Sequence, residues 1–292
     1  MQFEIIEPIM KVDYSLKWRM FETCNLNCSY CNRSFTNQKE KLPELEILIE
    51  KSKKINTAIE NKKKSCQLIL IGGEPTLTDI NKINKEFTSK YIKTITIVTN
   101  FTADKKIYEE FINFRRSIGS DANIVASLHE NINIENFINK FSSLNYKGSV
   151  EFVITEENIN DVKKIKSLCE KKNINYSFDL NKLGDIEKIS KLVSFEKIKK
   201  EAQYIIDNKI YINHRDLENI LTTKKLYCIK RAFILSNDVL KNCTFKKPIG
   251  DINNLNLDIQ FNTCDKEKCA MCGKEFLTKN AKLAYSYYKK WK

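Results

Sequence analysis

Short apolar runs alternate with charged segments along the first two thirds of the chain. The runs are SLKWRMF (15–21), CQLILIGG (66–73), TITIVTN (94–100), NIVASLH (123–129), SVEFVIT (149–155) and NYSFDL (175–180). Each has the length and β-branched or aromatic content of a strand. Between them, segments such as KKIYEEFINFRR (105–116) and NINDVKKIKSLCEKK (158–172) repeat their apolar positions every three to four residues, the period of an amphipathic helix. Strand followed by helix, six times over, predicts an α/β fold: a parallel sheet with helical crossovers. Six units are too few for a closed eight-stranded barrel and suit a partial, open (β/α)6 TIM-like barrel. Functional groups in such sheets sit at the carboxyl ends of the strands.

Past about residue 205 the rhythm changes. LYCIKRAFILSNDVLKNCTF (226–245) reads as two strands around the turn SND, flanked by Cys228 and Cys243. FNTCDKEKCAMCGKEF (261–276) adds Cys264, Cys269 and Cys272, and the tail KEFLTKNAKLAYSYYKKWK has helical period. The division expected is a barrel over 1–210 and a small cysteine-rich extension, hairpin plus helix, over 211–292. No Pro/Gly linker marks the boundary, and no internal repeat exists beyond the strand-helix alternation.

Composition narrows the chemistry. At 292 residues the chain builds an ample core without staples, yet it has ten cysteines. The start, MQFEIIEPIMKVDYSLK, is interrupted by Glu4, Glu7 and Asp13, unlike a secretory signal. No apolar run reaches the roughly 18 residues of a membrane span. A cytoplasmic setting is therefore expected, where thiols serve metal or redox chemistry rather than disulfides. The formal charge of +13 comes from lysines spread along the whole chain, a solvated surface rather than a nucleic-acid stripe. A basic, zinc-bearing nucleic-acid module is the alternative of another class.

The loop after the first strand, ETCNLNCSYC, places Cys24, Cys28 and Cys31 within eight residues. Four thiolates usually hold a 4Fe-4S cube, so three leave one iron open. Catalytic zinc also keeps an open position, but the chain has only two histidines, His129 and His214, neither near this loop. The spacing Cys-x3-Cys-x-Tyr-Cys, with Tyr30 as its aromatic, resembles the defining loop of the radical S-adenosylmethionine (SAM) superfamily. The second strand ends in IGGEPTL, where Gly72, Gly73, Glu74 and Pro75 match that family's GGEP motif. In relatives this motif contacts the amino group of SAM; glycines allow close backbone approach, and a carboxylate pairs with ammonium. Asn100 and Ser127, at the ends of the third and fourth strands, match positions that in relatives meet the ligand's ribose or carboxylate. They also read as ordinary turn and capping residues. Asn158 occupies a recurrent position of the fifth unit without an assigned role, His129 reads as a rim residue, and Cys66 and Cys169 as semi-buried thiols.

The resemblance implies a mechanism. An open iron chelates SAM, one electron cleaves its carbon-sulfur bond, and the 5'-deoxyadenosyl radical abstracts a substrate hydrogen. A reducing partner such as flavodoxin or ferredoxin is implied.

The tail resembles the SPASM and twitch extensions of the same superfamily. The hairpin glycine of that pattern is absent; Asn237 or Asp238 in SND tolerates the positive φ that glycine would offer. A full SPASM set needs seven or eight cysteines and five are present, which implies one auxiliary 4Fe-4S cluster on Cys228, Cys243, Cys269 and Cys272. A structural zinc on the same thiolates is the alternative. Cys264 replaces one ligand or stands free, and in the second case is a candidate hydrogen donor. Such relatives modify peptides or protein side chains by oxidation, cross-linking or epimerisation. Only 23 residues precede Cys24, too few for the leader-binding module of many peptide maturases. A twitch-type dehydrogenase or epimerase of a small polyol, sugar or nucleoside is the second substrate class.

Overall fold

The structure, a computed structural model, describes residues 12–28, 31, 41–130, 132–146, 148–154, 158–180, 231–241 and 248–257. Tyr30 and Cys228, Cys243, Cys264, Cys269 and Cys272 lie outside the described residues, as do the 210/211 boundary and the helical tail.

Each expected strand is present. The first six are β1 (Tyr14–Arg19), β2 (Cys66–Ile71), β3 (Ile92–Thr99), β4 (Asp121–Leu128), β5 (Gly148–Ile154) and β6 (Asn175–Leu180). Between them run α1 (Leu45–Lys62), α2 (Ile80–Lys85), α3 (Lys105–Ser117), α4 (Ile134–Ser142) and α5 (Val162–Lys171). All six strands pair in parallel and in chain order. That is the sequential progression of a partial TIM-like α/β barrel.

The hairpin of the extension completes this sheet. β7 (Arg231–Ile234) pairs in parallel with β1, matching Leu16 to Ala232 and Trp18 to Ile234. β8 (Val239–Lys241) returns antiparallel to it, and β9 (Gly250–Asp251) follows, so the sheet runs β6-β5-β4-β3-β2-β1-β7-β8-β9. The turn holds Asp238 at φ +66, the left-handed conformation expected of SND in the absence of glycine.

Burial alternates strongly across the strands. Leu16 and Trp18, Leu68 and Leu70, Ile95 and Ile97, and Ala122, Ile124, Ala126 and Leu128 join one core with Leu48, Ile55, Ile83, Phe111, Ile138 and Ile165 of the helices. The alternate face is polar and half-buried at Lys17, Gln67, Thr94, Asn123, Ser127 and Glu151. A fully closed and filled barrel would make both faces apolar; this one keeps one face for water or ligand. Cys66 and Cys169 belong to the core, and burial pushes each thiol up to about 12, as ordinary inert thiols. The one fully buried cation among the described residues, Arg115, donates to the carbonyls of Phe87 and Asn84 just past α2, tying α3 to the end of that helix.

Candidate functional site

The cysteine loop leaves the end of β1 and is fastened to the end of β2 by backbone alone. Beyond the last ladder pair, the Gly73 N–H donates to the Phe21 carbonyl (2.8 Å) and the Glu74 N–H to that of Thr23 (2.9 Å). The two glycines make this approach possible. A Cβ at Gly73 would lie 1.7 Å from the Thr23 carbonyl oxygen and 2.5 Å from that of Glu22, and one at Gly72 would lie 2.9 Å from that of Phe21. Their close approach is thus to the strand-to-loop backbone that ends at Cys24, one residue past Thr23. The expectation that they admit a ligand gains a nearer cause.

Glu74 is buried, and its carboxylate gathers four donors. Oε1 accepts from the Thr76 N–H (3.0 Å), the Thr76 hydroxyl (2.6 Å) and the Thr99 hydroxyl (2.7 Å), and Oε2 accepts from the Asn100 N–H (2.5 Å). It caps the 3-10 turn Pro75–Leu77 and locks the end of β2 to the end of β3. A buried carboxylate survives only with such satisfaction. The ammonium-binding role expected of Glu74 has to be met from a side chain that already serves these protein donors.

Asn100 is likewise inward. Its Oδ1 accepts from the Thr102 N–H (3.1 Å) and hydroxyl (2.7 Å), while Nδ2 donates to Asn25 Oδ1 (2.7 Å) and reaches Cys24 Sγ at 3.7 Å. Asn25 Nδ2 in turn donates to the Thr102 hydroxyl (2.9 Å). Sequence reasoning placed Asn100 at the rim but missed Asn25 and Thr102. The Asn-Phe-Thr order is an Asx-turn signal, so that half of the network was available from local chemistry.

The residue after Asn100 is strained to make this possible. Phe101 has φ +60, a conformation that costs a bulky residue about 1–3 kcal/mol. Its buried ring packs on Tyr108 (4.4 Å between centroids), Phe141 (5.5 Å) and Phe137 (5.6 Å). Aromatic pairs contribute about 0.5–1.5 kcal/mol each beyond area burial, so three of them offset the strain. Lys140 of α4 adds a cation over the ring (4.8 Å) and donates to the carbonyls of Phe101 (2.9 Å) and Ala103.

Ser127 is half-buried, in register with Glu151 of β5, which pairs with Ser177 of β6. The three form a polar row across β4, β5 and β6, with Ser127 near the carboxyl end of its strand and the other two at mid-strand, and neither Glu151 nor Ser177 was legible as a candidate. His129 stands half-buried just past β4. Asn158 is buried and donates to the Val153 carbonyl (2.8 Å), which makes it a brace for the end of β5.

The three thiols suit an iron-sulfur cluster in kind and setting. Cys28 is buried, Cys24 and Cys31 are half-buried, and none is in a disulfide. The Cys31 N–H donates to the Cys28 carbonyl (3.0 Å), and the Leu26 N–H points at Cys24 Sγ (3.4 Å). Amide donors aimed at a sulfur suit a thiolate ligand. Among the described residues no three of His, Cys, Asp and Glu close to the spacing of a single-ion site. The hairpin also touches this loop, the Ser236 hydroxyl donating to Glu22 Oε1 (2.9 Å), and it is fastened separately to α1, where Lys51 pairs with Asp238 (2.7 Å). Among the described residues no helix is long and apolar enough to cross a membrane.

Comparison with known proteins agrees with this geometry. The family model of the Radical SAM superfamily matches residues 18–169, just over half of the chain. A curated relative, 7-carboxy-7-deazaguanine synthase of Clostridium acetobutylicum, is 29% identical over 167 residues, covering 53% of this chain and 65% of the relative. The chain thus spans less than two thirds of that protein's length. In fold, the chain resembles native anSMEcpe with bound AdoMet and Cp18Cys peptide (TM-score 0.63, 16% identity, 94% of this chain and 96% of that one). It also resembles Streptococcus suis SuiB bound to precursor peptide SuiA (TM-score 0.57, 16% identity, 85% and 64%).

Proposed function

Because the chain belongs to the Radical SAM superfamily, we propose that it is an enzyme that reductively cleaves SAM and uses the radical so formed to modify a peptide or protein side chain. The observation that carries the reading is the Cys24–Cys28–Cys31 loop, held at the carboxyl rim of a parallel sheet by the Gly72–Gly73–Glu74 backbone and by Asn100. Cys24, Cys28 and Cys31 would hold a 4Fe-4S cluster, and Tyr30, Gly72 to Pro75, Asn100 and Ser127 are the SAM-side residues. When bound, cluster and SAM supply the electron and the 5'-deoxyadenosyl radical that takes a substrate hydrogen atom.

The protein's part is placement. The polar row Ser127–Glu151–Ser177 and the half-buried Lys17 and Asn123 offer hydrogen bonds and both signs of charge on the face opposite the apolar core. Such a surface suits a polar substrate, whose target C–H bond must be fixed before a radical is released beside it. The solved relatives bound to peptides favour the peptide class. The curated relative that makes a deazaguanine favours a second reading, a small nucleoside-like or polyol substrate.

For the extension we propose one auxiliary 4Fe-4S cluster on Cys228, Cys243, Cys269 and Cys272, with Cys264 as a ligand or a hydrogen donor. Four protein thiolates close that cluster and leave it an electron-transfer or structural role. Oxidation or cross-linking follows if it accepts an electron from the substrate, and epimerisation if Cys264 returns a hydrogen atom. A cytoplasmic setting and a flavodoxin- or ferredoxin-like reductant complete the reading.

Anaerobic reconstitution tests it. The expected result is about eight irons per chain and 5'-deoxyadenosine released on reduction with SAM. Zinc without iron, or reduced clusters that leave SAM intact, would overturn it. Four irons would retain the enzyme and remove the auxiliary cluster.

A further inference from the structure

Asn25 lies between two ligand-type cysteines and yet its side chain is spent on residues more than seventy positions away. We infer that Asn25, held by Asn100 and Thr102, is a positioning residue that fixes Cys24 under its amide donors and so sets the reduction potential of the cluster this loop would hold. The inference rests on the radical SAM reading.

The three side chains form a closed ring whose sense is fixed by one backbone group. The Thr102 N–H faces Asn100 Oδ1 at 3.1 Å, so that atom is an oxygen rather than the amide nitrogen. The Thr102 hydroxyl then donates to the same oxygen (2.7 Å), leaving its lone pair for Asn25 Nδ2 (2.9 Å). Asn25 Oδ1 accepts from Asn100 Nδ2 (2.7 Å), which closes the ring with every donor on an acceptor. Asn100 is buried and anchored further through its own N–H on Glu74. Asn25 is exposed, at the outer edge of a network whose root is rigid.

Cys24 is the neighbour of Asn25 in sequence and the end point of the same network. Its sulfur faces the Leu26 N–H at 3.4 Å and Asn100 Nδ2 at 3.7 Å. Hydrogen bonds to a ligating sulfur stabilise the more negative, reduced state of a cluster and raise its potential. Both donors stay aligned only while the segment Cys24–Leu26 keeps its present path. The Asn25 side chain ties this segment to the turn that follows β3, and the strained Phe101 directs the next residue, Thr102, back toward it. Strain stored beside such a tie is the usual mark of a pre-organised site.

The test uses the full-length protein with N25A, T102V and T102S. In reconstituted protein the midpoint potential of the SAM-responsive EPR signal is titrated. N25A is expected to lower the reduced-to-oxidised ratio at fixed potential about tenfold, which is about 59 mV for one electron, and T102V, which leaves the Asn100 bond to Asn25, to lower it in the same direction by less. The double variant shifts no further than N25A, because the Asn25 bond that T102V removes is one of the two that N25A removes, and T102S, which keeps the hydroxyl, matches wild type. In apo protein, amide exchange over residues 22–28 rises several-fold in N25A and T102V while α1 is unaffected. Unchanged potential in loaded N25A, or unchanged exchange over 22–28, overturns the inference. If N25A does not take up iron, T102V and the apo exchange decide it. Wild type without a SAM-responsive cluster would instead sink the functional reading, while the exchange data still report whether Asn25 anchors the loop.

Discussion

Replacing Gly73 with alanine separates two accounts of the GGEP motif. If Gly73 serves only the approach of a ligand, the protein without ligand should tolerate a methyl group. The structure places that methyl carbon 1.7 Å from the Thr23 carbonyl oxygen and 2.2 Å from its carbonyl carbon. Both are backbone atoms, so no side chain can swing away, and a normal contact requires a separation of about 1.5 Å or more between two hydrogen-bonded segments. The Gly73–Phe21 and Glu74–Thr23 hydrogen bonds, at 2.8 and 2.9 Å, break with it. Two lost bonds at about 1 kcal/mol each and an overpacking cost of about 1–3 kcal/mol sum to about 3–5 kcal/mol. For a chain of this size that corresponds to a fall in Tm of about 5–8 °C. The assay is thermal unfolding of apo protein under reducing, anaerobic conditions, followed by iron uptake. G119A is the control: Gly119 has φ +69 but open space around its Cβ position, so it costs only the left-handed penalty of about 1–2 kcal/mol and leaves iron uptake intact. Apo G73A melting with the wild type would refute the steric argument.

Three further outcomes follow from the described geometry. C24A, C28A and C31A should each abolish the 5'-deoxyadenosine yield while circular dichroism of the apo protein stays native, since only Cys28 of the three is buried. E74A leaves the hydroxyls of Thr76 and Thr99 and the N–H of Asn100 without their acceptor, and should lower apo stability by about 2–4 kcal/mol in urea unfolding. Between pH 9 and 12 the folded protein should lose stability: burial raises the Cys66 and Cys169 thiols from 9.0 to about 12, so the unfolded chain releases those protons first. Each thiol contributes a slope of up to about 1.4 kcal/mol per pH unit in that window, none below it, and C169A should flatten the profile by one such share.

The order of the first six strands was legible because each run carries strand chemistry and is cut off by charged helical segments. TITIVTN and SVEFVIT, for instance, became β3 and β5 to within two residues. The turn at Asp238 was legible because its backbone requirement is local. Two kinds of feature were not. Parallel pairing of β7 with β1 joins residues more than two hundred apart, and nothing in RAFI names its neighbour. The environments of Gly73 and Glu74 were also hidden, because a motif gives residue types while the partner, here Thr23 or Asn100, is chosen by the fold. Asn25 illustrates the limit: between cysteines it reads as spacer, and its partner Thr102 becomes visible only when β1 and β3 are seen to end at the same rim.

The pairing of β7 with β1 has a consequence for how the protein is made. β1 emerges from the ribosome before either of its neighbours, and β2 covers one of its edges within some fifty residues. Its other edge waits for β7, about 210 residues later, which at about 5–20 residues per second is a delay of about 10–40 s. During that interval an unpaired strand carries three free thiols just beyond its end, and unpaired edges invite association with other chains. The Glu22–Ser236 contact forms only after this wait. The loop after β1 therefore gains its Ser236 contact, and β1 its second neighbour, only once the last-made part of the sheet is in place.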